Sequence, residues 1–142
     1  MEQSLKLQGE GNYLEITPST YFYLPETDSY DRSWLTTNVK VKGGAFCGEY
    51  DANLQTFDFI YLKQQLEALY RDLSSSFEFS PLEGQLFMRF SGDGLGHIYV
   101  DCTAKDQPGG GSTLNFEINI DQTDIQELIN QLNAITVAYP VE

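Results

Sequence analysis

His97 is the only histidine in this sequence, and Cys47 and Cys102 are the only cysteines. One imidazole and two thiols limit the metal and nucleophile chemistry available. A zinc centre would have to borrow carboxylates, because zinc sites are built mainly from Cys and His. A nucleophilic Cys–His pair would need an approach in space that the spacing does not supply. There is no HExxH pair. The loop from Pro108 to Thr113 has no Lys, so it is not a phosphate-binding loop. The glycines of SGDGLG, Ser91 to Gly96, lead into a strand-like run, whereas a dinucleotide fingerprint opens a helix. Asp28 with Asp31, and Asp121 with Asp124, could touch a divalent ion, but neither spacing matches a calcium loop. The second pair is explained more simply by helix capping. Nothing singles out two carboxylates as a glycosidase pair. By residue chemistry the chain reads as a non-enzyme without cofactor or metal.

Other side chains suit recognition. Arg32 and Trp34 stand close together in SYDRSWL, Ser29 to Leu35, and this is the only Trp in the chain. Arg and Trp are frequent at the energetic centres of interfaces. Period-two alternation divides each strand-like run into two faces. Leu35, Val39 and Val41 fall together, as do Leu86, Met88 and Phe90. The same holds for Ile98, Val100 and Cys102, and for Leu114, Phe116, Ile118 and Ile120. The opposite face collects Trp34, Phe87, Arg89, His97 and Tyr99, with Lys40, Asp101 and Glu117. Aromatic rings amid mixed charge are the composition of a binding surface. A structural role is the alternative: the Tyr21–Phe22–Tyr23 segment could cover Trp34, and Arg32 could anchor its loop to a carboxylate. Cys102 points to the apolar side, as an inert buried thiol would.

These residues need elements to place them. The sequence has 142 residues, the size of one domain, read as residues 1–142. NYLEI, Thr20 to Glu26, Trp34 to Lys42 and Ala45 to Asp51 read as strands, with Gly43–Gly44 as a hairpin turn. The apolar period then changes. Phe59, Leu62, Leu66, Leu69 and Leu73 form a helical stripe behind a Thr56 cap, with Asp58 in the first turn. Strands are expected at Phe77 to Phe79, Gly84 to Ser91, Leu95 to Thr103 and Ser112 to Ile120, separated by a flexible glycine-rich loop at 104–112. A second helix follows, capped by Asp121 or Thr123, with Ile125, Leu128, Ile129 and Leu132 as its stripe. Residues 136–142 are read as a tail. The sum is an α+β domain: a curved, largely antiparallel sheet with two helices packed on one face. The strand–helix order recurs loosely, as a duplication would.

Charge narrows the partner. Eight Lys and Arg face 21 Asp and Glu, a net charge of −13. Such a surface repels phosphate backbones and anionic membranes, and it steers a basic protein inward. No early basic segment precedes an apolar run, and no apolar stretch nears the ~18 residues of a membrane span, so the expected location is cytoplasmic. Two cysteines make no disulfide framework. Oligomeric state stays open.

The motif YDRSWL, the Leu54–Gln55–Thr56 helix entry, the SPLEGQLFMRF segment with Pro81 and Glu83, and LNFEINID entering the last helix occur in this order. The arrangement resembles the WapI-like family of bacterial immunity proteins against contact-dependent toxins, from about Asn12 to Ile135. The resemblance implies a stoichiometric inhibitor that binds and blocks a basic toxin domain, such as a nuclease. Tyr30, Asp31, Trp34, Leu35, Glu83 and Phe116 match as fold-defining positions, and the resemblance assigns no catalytic residue. Contacts with a toxin vary between relatives and cannot be carried over. The competing expectation is a structural or adaptor protein with no toxin partner.

Overall fold

The computed structural model describes residues 3–21 and 34–140. Its elements run β1 (Leu5–Gly9), β2 (Asn12–Tyr21), β3 (Trp34–Gly43), β4 (Phe46–Gln55) and α1 (Thr56–Arg71), then β5 (Ser76–Phe79), β6 (Leu86–Gly92), β7 (His97–Gln107), β8 (Gly110–Asp121) and α2 (Gln122–Ala138). The α+β class and the antiparallel pairing are as expected. The strands divide into two four-stranded sheets, β1-β2-β3-β4 and β5-β6-β7-β8, where one curved sheet was expected. The physical reason is α1. A long helical connection leaves β5 free to pair forward with β6 instead of back with β4. Each half of the chain is therefore four strands and a helix, the recurrence that the sequence hinted at.

Every inward face inferred from alternation is inward. Leu35, Val39, Val41, Met88, Phe90, Ile98, Val100, Cys102 and Ile118 are buried. They join Phe59, Leu62, Leu66 and Leu69 of α1 and Ile125, Leu128, Leu132 and Ile135 of α2 in one apolar cluster. The two helices pack on each other. The nearest strands to α1 are β4 and β5, and those nearest α2 are β1 and β8.

Several boundaries differ from the sequence expectation, each for a local reason. Gln55, not Thr56, is the N-cap of α1. Asp58 closes its capping box, accepting from the Gln55 N–H at 2.7 Å. Asp121, rather than Thr123, caps α2 by accepting from the Thr123 and Asp124 N–H groups, and Asp124 closes the capping box. Leu73 falls beyond the end of α1. The strands β7 and β8 run into the segment expected as a loop and leave only Pro108–Gly109 between them. Gly109 supplies a φ of +70°, and Asp106 Oδ1 accepts from the Ser112 N–H at 2.8 Å. Helix α2 extends to Ala138, taking in part of the expected tail, because Ile135 is buried in the core. At the other end, β1 was not foreseen. It pairs along β2 from Leu5↔Ile16 to Gly9↔Asn12, with Leu5 and Leu7 buried.

The two sheets are joined where β1 meets β8. Asn12 Nδ2 donates to the Glu117 carbonyl at 2.7 Å, and Asn119 Nδ2 donates to Glu10 Oε2 at 3.3 Å. Gly9 lies so close to Asn119 that a Cβ would overlap its carbonyl oxygen.

Candidate binding surface

The outer face of the β5–β8 sheet presents its side chains in rows set by register. Glu78, Arg89, Asp101 and Glu117 stand side by side across the four strands. One row along lie Phe87, Thr103 and Asn115, with the Thr103 hydroxyl donating to Asn115 Oδ1 at 2.8 Å. On the other side lie Ser91, Tyr99 and Asn119. Arg89 is thus flanked by Glu78 and Asp101, within a row that has an excess of carboxylates. Tyr99 is 44% exposed. Arg89, His97, Asp101 and Glu117 are exposed, and Phe87 is half-buried.

His97 opens β7 opposite Asp121. Its backbone N–H donates to Asp93 Oδ1 at 3.1 Å, and the Leu95 N–H donates to the same oxygen at 2.7 Å. The Leu95 amide, then the His97 amide and the His97 charge, hold the Asp93 carboxyl below its ordinary range. This Asx-type turn fixes where β7 begins, and so fixes which residues reach the outer face.

Phe87, Arg89, His97 and Tyr99 are therefore brought together on one sheet. Trp34 is not with them. It starts β3 in the other sheet, half-buried and opposite Gln55, on the outward side of its strand. Alternation gave its side correctly, but not which sheet that side belongs to. Arg32, and with it Phe22 and Tyr23, lies outside the described residues. Tyr21 does not lie over Trp34. Its neighbour across the strands is Leu35, its ring packs edge-on against Tyr139 at 5.8 Å, and its hydroxyl donates to the Pro140 carbonyl.

The cysteines are both free, Cys47 exposed and Cys102 buried. Burial, followed by the neighbouring Asp101 charge, pushes the Cys102 thiol up to about 12, so it stays protonated and inert at neutral pH. Among the described residues no cluster of three His, Cys, Asp or Glu could hold a metal ion. Among them, too, no helix is long and apolar enough to cross a membrane.

Sequence reasoning missed one surface feature. A cleft of about 210 Å³ opens where the β3–β4 and β7–β8 hairpins splay apart. Phe46 at its edge is 70% exposed. Its signal was an aromatic residue just after the Gly43–Gly44 turn, with a glycine two positions on.

Two solved structures share the architecture. The plant transcriptional regulator PBF-2 superposes with a TM-score of 0.55 at 13% identity, over 98% of this chain and 82% of that one. MRP1/MRP2 of Trypanosoma bruciei superposes with a TM-score of 0.54 at 10% identity, over 99% of this chain and 88% of that one. At such identities the likeness is one of fold alone. No curated protein matches the sequence. The sequence does match a family description, across nearly its whole length and through both sheets and both helices. By that match over residues 5–140, the chain belongs to the immunity protein WapI-like family.

Proposed function

We propose that this immunity-family protein is a cytoplasmic, non-catalytic inhibitor that binds a basic toxin domain and blocks it, with the outer face of the β5–β8 sheet as its contact surface. Family membership carries the reading. The net charge of −13 supports it independently, since an acidic inhibitor competes with a polyanion for a basic cleft. A nuclease is the kind of toxin such an inhibitor suits. The Glu78–Arg89–Asp101–Glu117 row supplies charge, and Tyr99 and Phe87 supply apolar area beside it. Trp34 and Arg32 belong to the other half of the chain and serve as a second contact or as anchors. The PBF-2 description as a transcriptional regulator does not transfer, because a surface this acidic repels phosphate.

The test is co-expression with the toxin domain encoded beside the gene. Growth should be restored and a one-to-one complex recovered. Tyr99→Ala and Asp101→Asn should each weaken that complex by roughly tenfold to a hundredfold, about 1.4–3 kcal/mol, with melting unchanged. Recovery of no basic toxin domain would favour an adaptor role instead.

A further inference from the structure

The cleft between the β3–β4 and β7–β8 hairpins exists because small residues stand where the two inner sheet faces diverge. Gly48 lies opposite Val41 on the inward side of β4, and Ala104 lies opposite Leu114 on β7. The apolar part of the wall is Val41, Leu114 and the exposed Phe46 ring, with Ser112 and Thr113 beside it. The floor is fixed by polar contacts. The Tyr50 hydroxyl donates to the Gln85 carbonyl at 2.7 Å, and buried Gln85 reaches Asp106 O at 3.2 Å and Asp51 O at 3.4 Å through Nε2. Asp106 and Glu49 both border the cleft, and after burial the Asp106 charge also raises the Tyr50 hydroxyl.

Two further observations bear on the occupant. At about 210 Å³ the cleft is smaller than the ~300–1,000 Å³ of small-molecule pockets, and suits a single side chain. Strand β4 is also an edge of its sheet, in unbroken register with β3 from Trp34↔Gln55 to Gly43↔Phe46. Phe46 to Tyr50 contains no Lys, Pro or bulge of the kind that blocks strand addition. Glu49 and Asp51 are the charges that β4 itself carries on its outward side, with Lys40 of β3 behind Glu49 and away from the free edge. A second copy of the chain would bring acid against acid there, whereas a basic segment would find complementary charge.

We infer that this cleft and the adjoining β4 edge form a second docking site, which receives an extended basic segment of a protein partner with one Lys or Arg side chain seated in the cleft. The aliphatic stem lies along Val41 and Leu114, and the cationic head meets Asp106 and the Phe46 ring. The segment itself pairs along β4. The toxin as occupant rests on the function proposed above, but the site's preference for a basic strand does not.

The experiment uses Gly48→Val. A Cβ at Gly48 meets only Val41 Cγ2 within 4 Å, at 3.7 Å, so the backbone admits a side chain there, and valine projects its methyls into the cleft from a strand that favours it. The probe is a capped peptide alternating valine with arginine and lysine, titrated into isotope-labelled full-length protein. Its acidic counterpart serves as control. The basic peptide should shift the Gly48, Ala104 and Leu114 amides, and Gly48→Val should weaken it at least about tenfold with no fall in melting temperature. No binding by the basic peptide, equal binding by the acidic one, or equal binding to Gly48→Val would overturn the site. A dimer of the free protein that Gly48→Val dissolves would assign the cleft to a second copy and overturn it too. In the toxin complex Gly48→Val should again cost at least about tenfold. A toxin complex that ignores Gly48→Val overturns the toxin as occupant while leaving the inhibitor function standing. If no toxin complex forms, the peptide titration still decides the cleft.

Discussion

At the scale of single residues, burial gives Cys102 and Tyr50 a measurable alkaline signature. Burial first, then the Asp101 charge, raises the Cys102 thiol from 9.0 to about 12. Burial first raises the Tyr50 hydroxyl from 10.0 to about 12, opposed by the Lys105 backbone and aided by Asp106. The unfolded chain releases these protons earlier than the folded one. The stability they confer is whole below pH 9 and is lost as pH rises toward 12. Denaturant titrations should show the wild type weakening by on the order of 2 kcal/mol or more between pH 9 and 11. Cys102→Ala should flatten the first part of that fall, leaving the part above pH 10 to Tyr50. An unchanged slope would mean that the thiol titrates normally. The buried thiol was legible from period two alone. The Tyr50–Gln85 contact was not, because it joins a strand of one sheet to the loop that leads into the other.

At the scale of elements, two glycines make opposite predictions. Gly9 ends β1 against β8, where any Cβ would overlap the Asn119 carbonyl oxygen. Gly9→Ala should push β1 off β8 and cost about 2 kcal/mol or more, read by thermal or chemical unfolding. Gly48→Val adds more volume on β4 and should leave stability equal or higher, since glycine weakens a strand interior. If both substitutions proved silent, the close approach of the two sheets would be wrong. Helix stripes, turn glycines and inward faces could be read from the chain because they depend on neighbours a few residues apart. β1 was missed because Leu5–Gly9 is short and is defined by its partner strand. The α1 cap shifted by one residue, from Thr56 to Gln55, and α2 settled on Asp121 of the two candidates, for the same kind of reason: which polar side chain wins is settled by the geometry of the strand that leads into the helix.

At the scale of the whole molecule, the chain carries a net charge of −13, and its two sheets share one core. A partner drawn by that field should associate more slowly as salt rises. Stopped-flow association with the proposed toxin partner should slow at least about tenfold between about 0.05 and 0.5 M salt, while the unfolding midpoint changes little. Salt-independent association would remove charge from the recognition. The division into two sheets also changes the shape of the proposed interface. It places Phe87, Arg89, His97 and Tyr99 on one sheet and Trp34 on the other.

The sequence by itself determined what local physics governs: the antiparallel α+β class, both helix stripes, the inward and outward sides of β3, β6, β7 and β8, and the acidic field. It also carried the family resemblance, in YDRSWL and SPLEGQLFMRF. Only the tertiary structure decided that the strands form two sheets, that Trp34 stands apart from the other outward aromatics, and that Gly48 and Ala104 leave a cleft beside Phe46. Alternation fixes the side of a strand on which a residue lies. Which strands become neighbours depends on pairings between distant residues, and no short-range period encodes those.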